Sequence, residues 1–79
     1  MGAREQMSDF CRKNFSDRLR AARENAGFTQ QQVADVIHVH RSTYSYYELG
    51  VSEPSLAATK ELALLFQVSV DDLLGTGEN

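Results

Sequence analysis

The sequence has little of what small disulfide-bonded or membrane-spanning proteins depend on. Its 79 residues include one cysteine, one proline and no tryptophan. The single cysteine, Cys11, excludes an internal disulfide and is typical of a reducing compartment, so we expect a cytoplasmic protein. No apolar run approaches the about 18 residues that cross a membrane, and the N-terminus lacks the apolar core of a secretory signal. We therefore expect a fold that rests on an ordinary hydrophobic core.

Positive charge is also scarce, and it is unevenly distributed. The formal net charge is −3. Residues 1–47 contain seven basic and five acidic residues, whereas residues 48–79 contain one basic and six acidic residues. Binding to a polyanion needs a local positive surface rather than a positive total. The N-terminal half is therefore compatible with phosphate contact, and the acidic C-terminal half favours a protein partner instead.

The apolar residues that are present recur at helical spacing. Cys11, Phe15, Leu19, Ala22 and Ala26 are separated by steps of four, four, three and four, which place them on one face of a first helix. Four further helices are predicted near residues 30–37, 41–48, 56–66 and 70–74. Since no β-hairpin signal is present, the predicted fold class is all-α, with five helices in a compact arrangement.

Polar residues at the helix ends support these boundaries. The candidate N-caps are Ser8 or Asn14 for the first helix, Thr29 with Gln32 for the second, Ser55 for the fourth, and Ser69 with Asp72 for the fifth. For the fourth helix, the predicted inner face consists of Leu56, Thr59, Leu62, Ala63 and Phe66. We predict one domain over residues 10–75, with an N-terminal tail at residues 1–9 and a C-terminal tail at residues 76–79.

Two short helices joined by a turn of three or four residues are the arrangement of a helix-turn-helix. From residue 15 to residue 74 the chain resembles the lambda-repressor-like (Cro/C1, Xre-type) helix-turn-helix family. The resemblance rests on the order and spacing of Phe15-Ser-Asp-Arg-Leu-Arg20 with Arg23, Gly27-Phe-Thr-Gln-Gln31, Val33-Ala34, Val39-His-Arg-Ser-Thr43, Tyr47-Glu48 with Gly50, Pro54-Ser-Leu56, Leu62-Ala63, and Val68-Ser-Val-Asp-Asp-Leu-Leu74. It implies a DNA-binding domain with its helix-turn-helix at about residues 29–47.

The resemblance also implies which residues contact DNA. In this family the second helix of the motif lies in the major groove, and the preceding helix begins beside a phosphate. The implied DNA-contact residues are Arg41, Ser42, Ser45 and Tyr46, with Gln30 beside the phosphate and Gln31 and Thr43 as weaker candidates. Helical spacing agrees, because Tyr44 and Tyr47 then face the core. Arg41 is suited to bind guanine O6 and N7 with two hydrogen bonds.

Outside the implied DNA contacts, one pair of charged residues matches the family and two histidines differ from it. Arg23 and Glu48 match a family pair, from which we predict a partly buried salt bridge that fixes the recognition helix. His38 stands where family members usually have glycine. We therefore expect a left-handed backbone at His38, which lowers the stability of the fold. His40 replaces the usual Ser or Thr cap, and two alternatives stay open: the third helix begins at Arg41, or it begins later with Ser42 as its cap.

The function implied by the resemblance is that of a sequence-specific regulator of transcription, a repressor that binds double-stranded DNA as a homodimer on an inverted repeat. The alternative is a protein-interaction module of the same fold that has lost strong DNA affinity, which the acidic C-terminal half and Glu53 favour. We expect no enzyme activity, cofactor, small-molecule ligand, membrane association or metal, since His38 and His40 alone make an incomplete metal site.

Overall fold

The computed structural model describes the backbone of residues 2–75 and the side chains of residues 14–75. Within residues 2–75 the chain forms no strand and five helices, which are α1 (Gly2–Ala26), α2 (Gln30–Val36), α3 (Arg41–Leu49), α4 (Leu56–Phe66) and α5 (Val70–Leu74). The prediction of an all-α, five-helix fold is confirmed. None of these helices is long and apolar enough to cross a membrane. The side chain of Cys11 and the C-terminal tail at residues 76–79 lie outside the described residues.

The first helix is longer than its apolar pattern predicted. Its backbone begins at Gly2, so Ser8 and Asn14 lie inside α1 and the prediction that one of them is its N-cap was wrong. Residues 3–7 are Ala, Arg, Glu, Gln and Met, all good helix formers, and these extend a helix without an apolar face. The helix ends before Gly27, whose φ of 84° is favourable for glycine. The boundary of the domain at residue 10 stays a prediction.

Side-chain caps begin three of the four remaining helices at the predicted positions. The Thr29 hydroxyl accepts from the Gln32 amide at 3.1 Å, and the Gln32 side chain accepts from the Thr29 amide at 2.9 Å. Ser55 accepts from the Ala58 amide at 3.1 Å at the start of α4. The capping box of Ser69 and Asp72 starts α5. These bonds satisfy backbone donors that the first helical turn leaves open.

The core lies where α1 crosses the other helices. This helix contacts α3, α4 and α5, while α2 packs on α3 and α4 packs on α5. The buried apolar residues are Phe15, Leu19, Val33, Ala34, Ile37, Tyr44, Tyr47, Leu62, Ala63, Phe66 and Leu73. Most of the predicted inner face of α4 is buried, but Leu56 is 68% exposed and that prediction was wrong. Leu56 is the first residue of α4, a full turn before Thr59, which is buried.

The turn between α4 and α5 contains a left-handed residue that was not predicted from the sequence. Gln67 ends α4 with a φ of 59°, a left-handed conformation that glycine usually supplies. The next amide, that of Val68, donates to the Ala63 carbonyl at 3.0 Å and closes the turn. This places α5 against α1, where its one fully buried residue, Leu73, enters the core.

Candidate nucleic-acid interface

Helices α2 and α3 form the predicted helix-turn-helix. Val33 and Ala34 of α2 are fully buried, and α2 packs on α3, where Tyr44 is also fully buried. In the turn between them, the Val39 amide donates to the Ala34 carbonyl at 3.0 Å, and Val39 itself packs partly buried against the core. The two helices are therefore held as one unit through their buried faces.

The turn between α2 and α3 has the left-handed backbone predicted at His38, the position where family members usually have glycine. His38 has a φ of 61°, so an imidazole-bearing residue occupies a left-handed position. His40 is the N-cap residue of α3 and makes no side-chain capping hydrogen bond. Even so, α3 begins at Arg41, which is the first of the two alternatives, and Ser42 is not its cap. Among residues 14–75 no group of three or more His, Cys, Asp or Glu side chains is placed to hold a metal ion.

The predicted DNA-contact residues divide by exposure. Arg41, Ser42 and Tyr46 are exposed on α3, while Thr43 and Ser45 are half-buried. On the first turn of α2, Gln31 is exposed and Gln30 is half-buried. The exposed residues of α3 lie at its N-terminal end (Arg41 and Ser42) and one turn further along it (Tyr46). A base edge or a phosphate can reach this surface. Whether these residues contact DNA stays a prediction.

The C-terminal end of α3 is fixed by a buried carboxylate. Glu48 is 5% exposed, and Arg23 of α1 donates to it twice, from Nε to Oε2 at 2.7 Å and from Nη2 to Oε1 at 3.2 Å. The Arg23 Nη1 donates to the Phe28 carbonyl at 2.9 Å, in the loop between α1 and α2. The structure thus contains the salt bridge expected between these two residues, and the same guanidinium also holds the loop before α2.

Two further donors complete the site around Glu48, and neither was predicted from the sequence. The Tyr44 hydroxyl donates to Oε2 at 2.5 Å, and the Gln30 side-chain nitrogen donates to Oε1 at 3.0 Å. The carboxylate therefore accepts four hydrogen bonds, which offset the cost of removing its charge from water. The spacing of Tyr44 and Glu48, four residues apart on one helix, was a signal for the first contact. The Gln30 contact depends on how α2 packs on α3.

The ionisation of these groups follows from their contacts. Burial alone raises the pKa of Glu48, but hydrogen bonds from Arg23, Tyr44 and Gln30 outweigh it and hold that pKa below its ordinary value. The hydrogen bond to Glu48 raises the pKa of Arg23 against the lowering effect of burial. Burial, together with the carboxylate beside it, raises the pKa of Tyr44 far above its ordinary value. At neutral pH the site thus holds a carboxylate, a guanidinium and a neutral phenol.

Gln30 also connects this buried site to the exposed end of α3. Its side-chain oxygen accepts from Nη1 of Arg41 at 3.4 Å, on the protein surface. By contrast, the side chain of its neighbour Gln31 donates to Asp35 at 2.9 Å within α2. The structure therefore brings Gln30 and Arg41 together, and it places Gln31 apart from them.

Apolar side chains are exposed at the C-terminal end of α3 and beyond it. Leu49 is 65% exposed, Val51 is 64% exposed and Leu56 is 68% exposed. Gly50, with a φ of 79°, ends the helix between the first two. Leu49 therefore lies on the surface rather than in the core.

Known proteins are similar in sequence to this chain over most of its length. The family described as Helix-turn-helix matches residues 19–73. The SPbeta prophage-derived uncharacterized HTH-type transcriptional regulator YonR of Bacillus subtilis (strain 168) is 38% identical over 60 residues, which cover 76% of this chain and 56% of that protein. The HTH-type transcriptional regulator AnsR of the same strain is 42% identical over 59 residues, which cover 75% of this chain and 51% of that protein.

A phage protein is also similar. The Cryptic phage CTXphi transcriptional repressor RstR of Vibrio cholerae is 33% identical over 64 residues, which cover 81% of this chain and 58% of that protein. This chain spans about half the length of these curated relatives. The similarity therefore concerns the helix-turn-helix portion of each relative.

Proposed function

We propose that this chain, which belongs to the Cro/C1-type helix-turn-helix family, regulates transcription by binding specific sites on double-stranded DNA. The matched family and the relatives are transcriptional regulators, which are not enzymes, so the prediction that the chain is not an enzyme is confirmed. The predictions of a cytoplasmic location and of no small-molecule ligand stay predictions.

One observation carries the proposal: α3 is fixed to the core at one end and presents Arg41, Ser42 and Tyr46 to solvent at the other. A rigid helix with exposed polar side chains near its N-terminus fits the major groove, where base edges offer hydrogen-bond acceptors and donors. Arg41 has the geometry to pair with guanine, while Ser42 and Tyr46 suit contacts with bases, thymine methyl groups or phosphates. Thr43 and Ser45, which are half-buried, are weaker parts of the proposed surface.

We further propose that two copies of the chain bind as a homodimer to an inverted repeat, whose half-sites lie about 34 Å apart. A single domain of this size makes few base contacts, so two copies are needed for useful affinity. On family grounds the interface involves α5 and nearby apolar residues. Leu64 of α4 and Leu74 of α5, which are 80% and 42% exposed, are available for such contacts. Since a similar phage protein is named a transcriptional repressor, we also propose that this chain represses transcription.

A second candidate function has support of its own. Leu49, Val51 and Leu56 are exposed apolar residues, and the C-terminal half is acidic. Both features suit a surface that binds another protein and disfavour contact with phosphates. In this alternative the chain keeps the fold but acts through a protein partner.

The test is selection of bound duplexes from a random DNA pool by the purified protein at about 100 mM salt, because phosphate contacts weaken steeply as salt rises. We expect recovery of an inverted repeat, bound by two copies per duplex in analytical ultracentrifugation. A promoter carrying that repeat is expected to lose reporter activity when the protein is expressed. Recovery of no preferred sequence by a folded, helical protein would contradict the proposal and favour the protein-interaction module.

A further inference from the structure

The chain has two histidines, and both lie in the turn that leads into α3. They are His38 and His40, on either side of Val39. Histidine is the side chain that ordinarily gains or loses a proton between about pH 5 and pH 8. The imidazoles of this chain are therefore concentrated in one turn, immediately before the proposed recognition helix.

Both imidazoles are open to solvent. His38 and His40 are exposed, and within residues 14–75 neither imidazole makes a hydrogen bond or an ion pair. Val39 between them is half-buried and packs against the core, so the backbone of the turn is held in place. The rings are therefore accessible to protons and to a ligand that approaches the exposed end of α3.

Few charged residues lie on the helices around this turn. On the two helices that it joins, they are Asp35 of α2 and Arg41 and Glu48 of α3. The Asp35 carboxylate accepts a side-chain hydrogen bond within α2. Glu48 lies at the far end of α3 and pairs with Arg23 of α1, the other helix that packs on α3. Arg41 directly follows the second histidine, and its positive charge disfavours a protonated imidazole there.

His40 is the histidine closer to the proposed DNA surface. It is the N-cap residue of α3, with φ −70° and ψ 150°, and it directly precedes Arg41. The partial positive charge of the helix N-terminus disfavours protonation of His40 in the free protein, as Arg41 does. A DNA phosphate beside this end of α3 acts in the opposite sense, because its negative charge attracts an imidazolium. DNA therefore favours the protonated form of His40 more than the free protein does.

We propose that DNA binding takes up protons at this turn, mainly at His40, so that the affinity of the chain for DNA rises as the pH falls from about 8 to about 6. The inference rests on the proposed function, since it needs a phosphate near the exposed end of α3. The sign follows from linkage: because DNA binds the protonated form more tightly, a lower pH strengthens binding. The formal net charge of −3 also falls to −1 when both histidines are protonated, which weakens repulsion from DNA.

The buried site at the other end of α3 does not titrate in this range. Hydrogen bonds hold the pKa of Glu48 below its ordinary value, so its carboxylate stays ionised at pH 6. Burial holds the pKa of Tyr44 far above its ordinary value, so its phenol stays neutral at pH 8. A change in DNA affinity between these pH values therefore does not arise from the residues that fix α3 to the core.

Two matched variants separate the histidines. His40→Asn and His38→Asn each replace an imidazole with an amide that does not titrate. Asparagine is a good N-cap residue, which suits position 40, and it tolerates a positive φ, which suits position 38. We expect both variants to fold at both pH values, as circular dichroism and urea denaturation would show.

The test is fluorescence anisotropy on the duplex selected by the wild-type protein, at pH 6 and pH 8 and constant ionic strength. We expect the wild-type protein to bind about three- to ten-fold more tightly at pH 6. His38→Asn should keep most of this change, whereas His40→Asn should bind equally at both pH values to within about two-fold. For the wild type alone of these two, log K should fall more steeply with log salt at pH 6, by about 0.9 for each protonated copy that contacts a phosphate.

The wild-type comparison does not depend on how the variants fold. Equal wild-type affinity at pH 6 and pH 8 would overturn the inference. So would a His40→Asn variant that keeps the wild-type pH dependence, a His38→Asn variant that loses it, or a pH-dependent affinity with an unchanged salt slope. If the wild-type protein selects no duplex at all, the proposed function fails and takes the inference with it. A selected duplex that is bound equally at both pH values would overturn the inference alone.

Discussion

The two ends of α3 are built differently. At its C-terminal end, Tyr47 and Glu48 are buried, and Glu48 accepts four hydrogen bonds from α1, α2 and α3 itself. At its N-terminal end, Arg41 and Ser42 are exposed, and the cap residue His40 makes no side-chain capping bond. The turn before it passes through His38 at a φ of 61°.

The difference separates the end of α3 that stabilises the fold from the end for which we propose a role in recognition. A helix of nine residues is rigid, so fixing one end by burial and hydrogen bonds also positions the other. The free end can then carry side chains chosen for a partner, without a role in the core. Substitutions at the C-terminal end should therefore change the free energy of unfolding, and those at the N-terminal end should mainly change binding.

Glu48→Ala is expected to have the largest effect. It leaves the Arg23 guanidinium and the Tyr44 hydroxyl largely buried without their acceptor, which costs about 3 kcal/mol of unfolding free energy. Urea denaturation followed by circular dichroism measures the loss. Glu61→Ala is the matched control, because Glu61 is an exposed glutamate on α4 and its removal should change stability by no more than about 0.5 kcal/mol. Equal losses in both variants would show that the buried contacts of Glu48 do not fix the C-terminal end of α3.

The same site predicts a pH dependence. Because folding holds the pKa of Glu48 below its ordinary value of about 4.3, the ionised carboxylate stabilises the fold at neutral pH. This contribution is lost as the pH falls through the lowered pKa. The stability difference between wild type and Glu48→Gln should therefore be full at pH 7 and should narrow below about pH 4. A difference that is constant across this range would show that Glu48 stabilises the fold by shape rather than charge.

Tyr44→Phe tests a single hydrogen bond in the anchored end. The hydroxyl donates to a buried carboxylate at 2.5 Å, and bonds to charged groups contribute about 1.5–3 kcal/mol, so we expect a loss of about 2 kcal/mol. Tyr47→Phe is the matched control, since its hydroxyl makes no hydrogen bond among the described contacts while its ring packs edge-on against that of Tyr44. Thermal unfolding of the two variants compares them directly. A larger loss for Tyr47→Phe would contradict this account of the anchor.

Arg41→Ala tests the free end. We expect its unfolding free energy to stay within about 0.5 kcal/mol of wild type, because the side chain is exposed. Its affinity for the selected duplex should fall by about 1–3 kcal/mol, with relaxed preference at one base pair. Fluorescence anisotropy on a panel of single-base variants measures both. Unchanged affinity and base preference would remove Arg41 from the recognition surface.

Local patterns predicted most of the fold. Capping at Thr29, Ser55 and Ser69 depends on residues within one turn of each other, so the sequence was sufficient to place those helix starts. The start of α1 was misplaced, because its first residues favour helix without an apolar stripe. The prediction that Leu56 is buried was wrong, because helical spacing does not show at which residue a helix begins to pack on the core.

The site was less predictable, because it depends on contacts between helices. The Arg23–Glu48 pair came from the family resemblance, whereas no pattern in the sequence places Gln30 of α2 beside Glu48 of α3. That contact requires the tertiary packing of the two helices, across the left-handed turn at His38. The left-handed conformation of Gln67 was missed for a related reason, since its residue type does not signal a positive φ.

His38→Gly is expected to have the smallest effect, at the turn that leads into the free end. Glycine adopts a φ of 61° without the side-chain clash of His38, and this gain exceeds the added entropy of the unfolded chain, for a net rise of about 0.5 kcal/mol in unfolding free energy. His40→Gly is the matched control, because its φ of −70° is ordinary and glycine there should lower stability by about 0.5 kcal/mol. Urea denaturation of both variants gives the sign of each change. If His38→Gly is the less stable of the two, the turn is held by contacts of the imidazole rather than strained by it, and the N-terminal end of α3 is more firmly fixed than its exposure indicates.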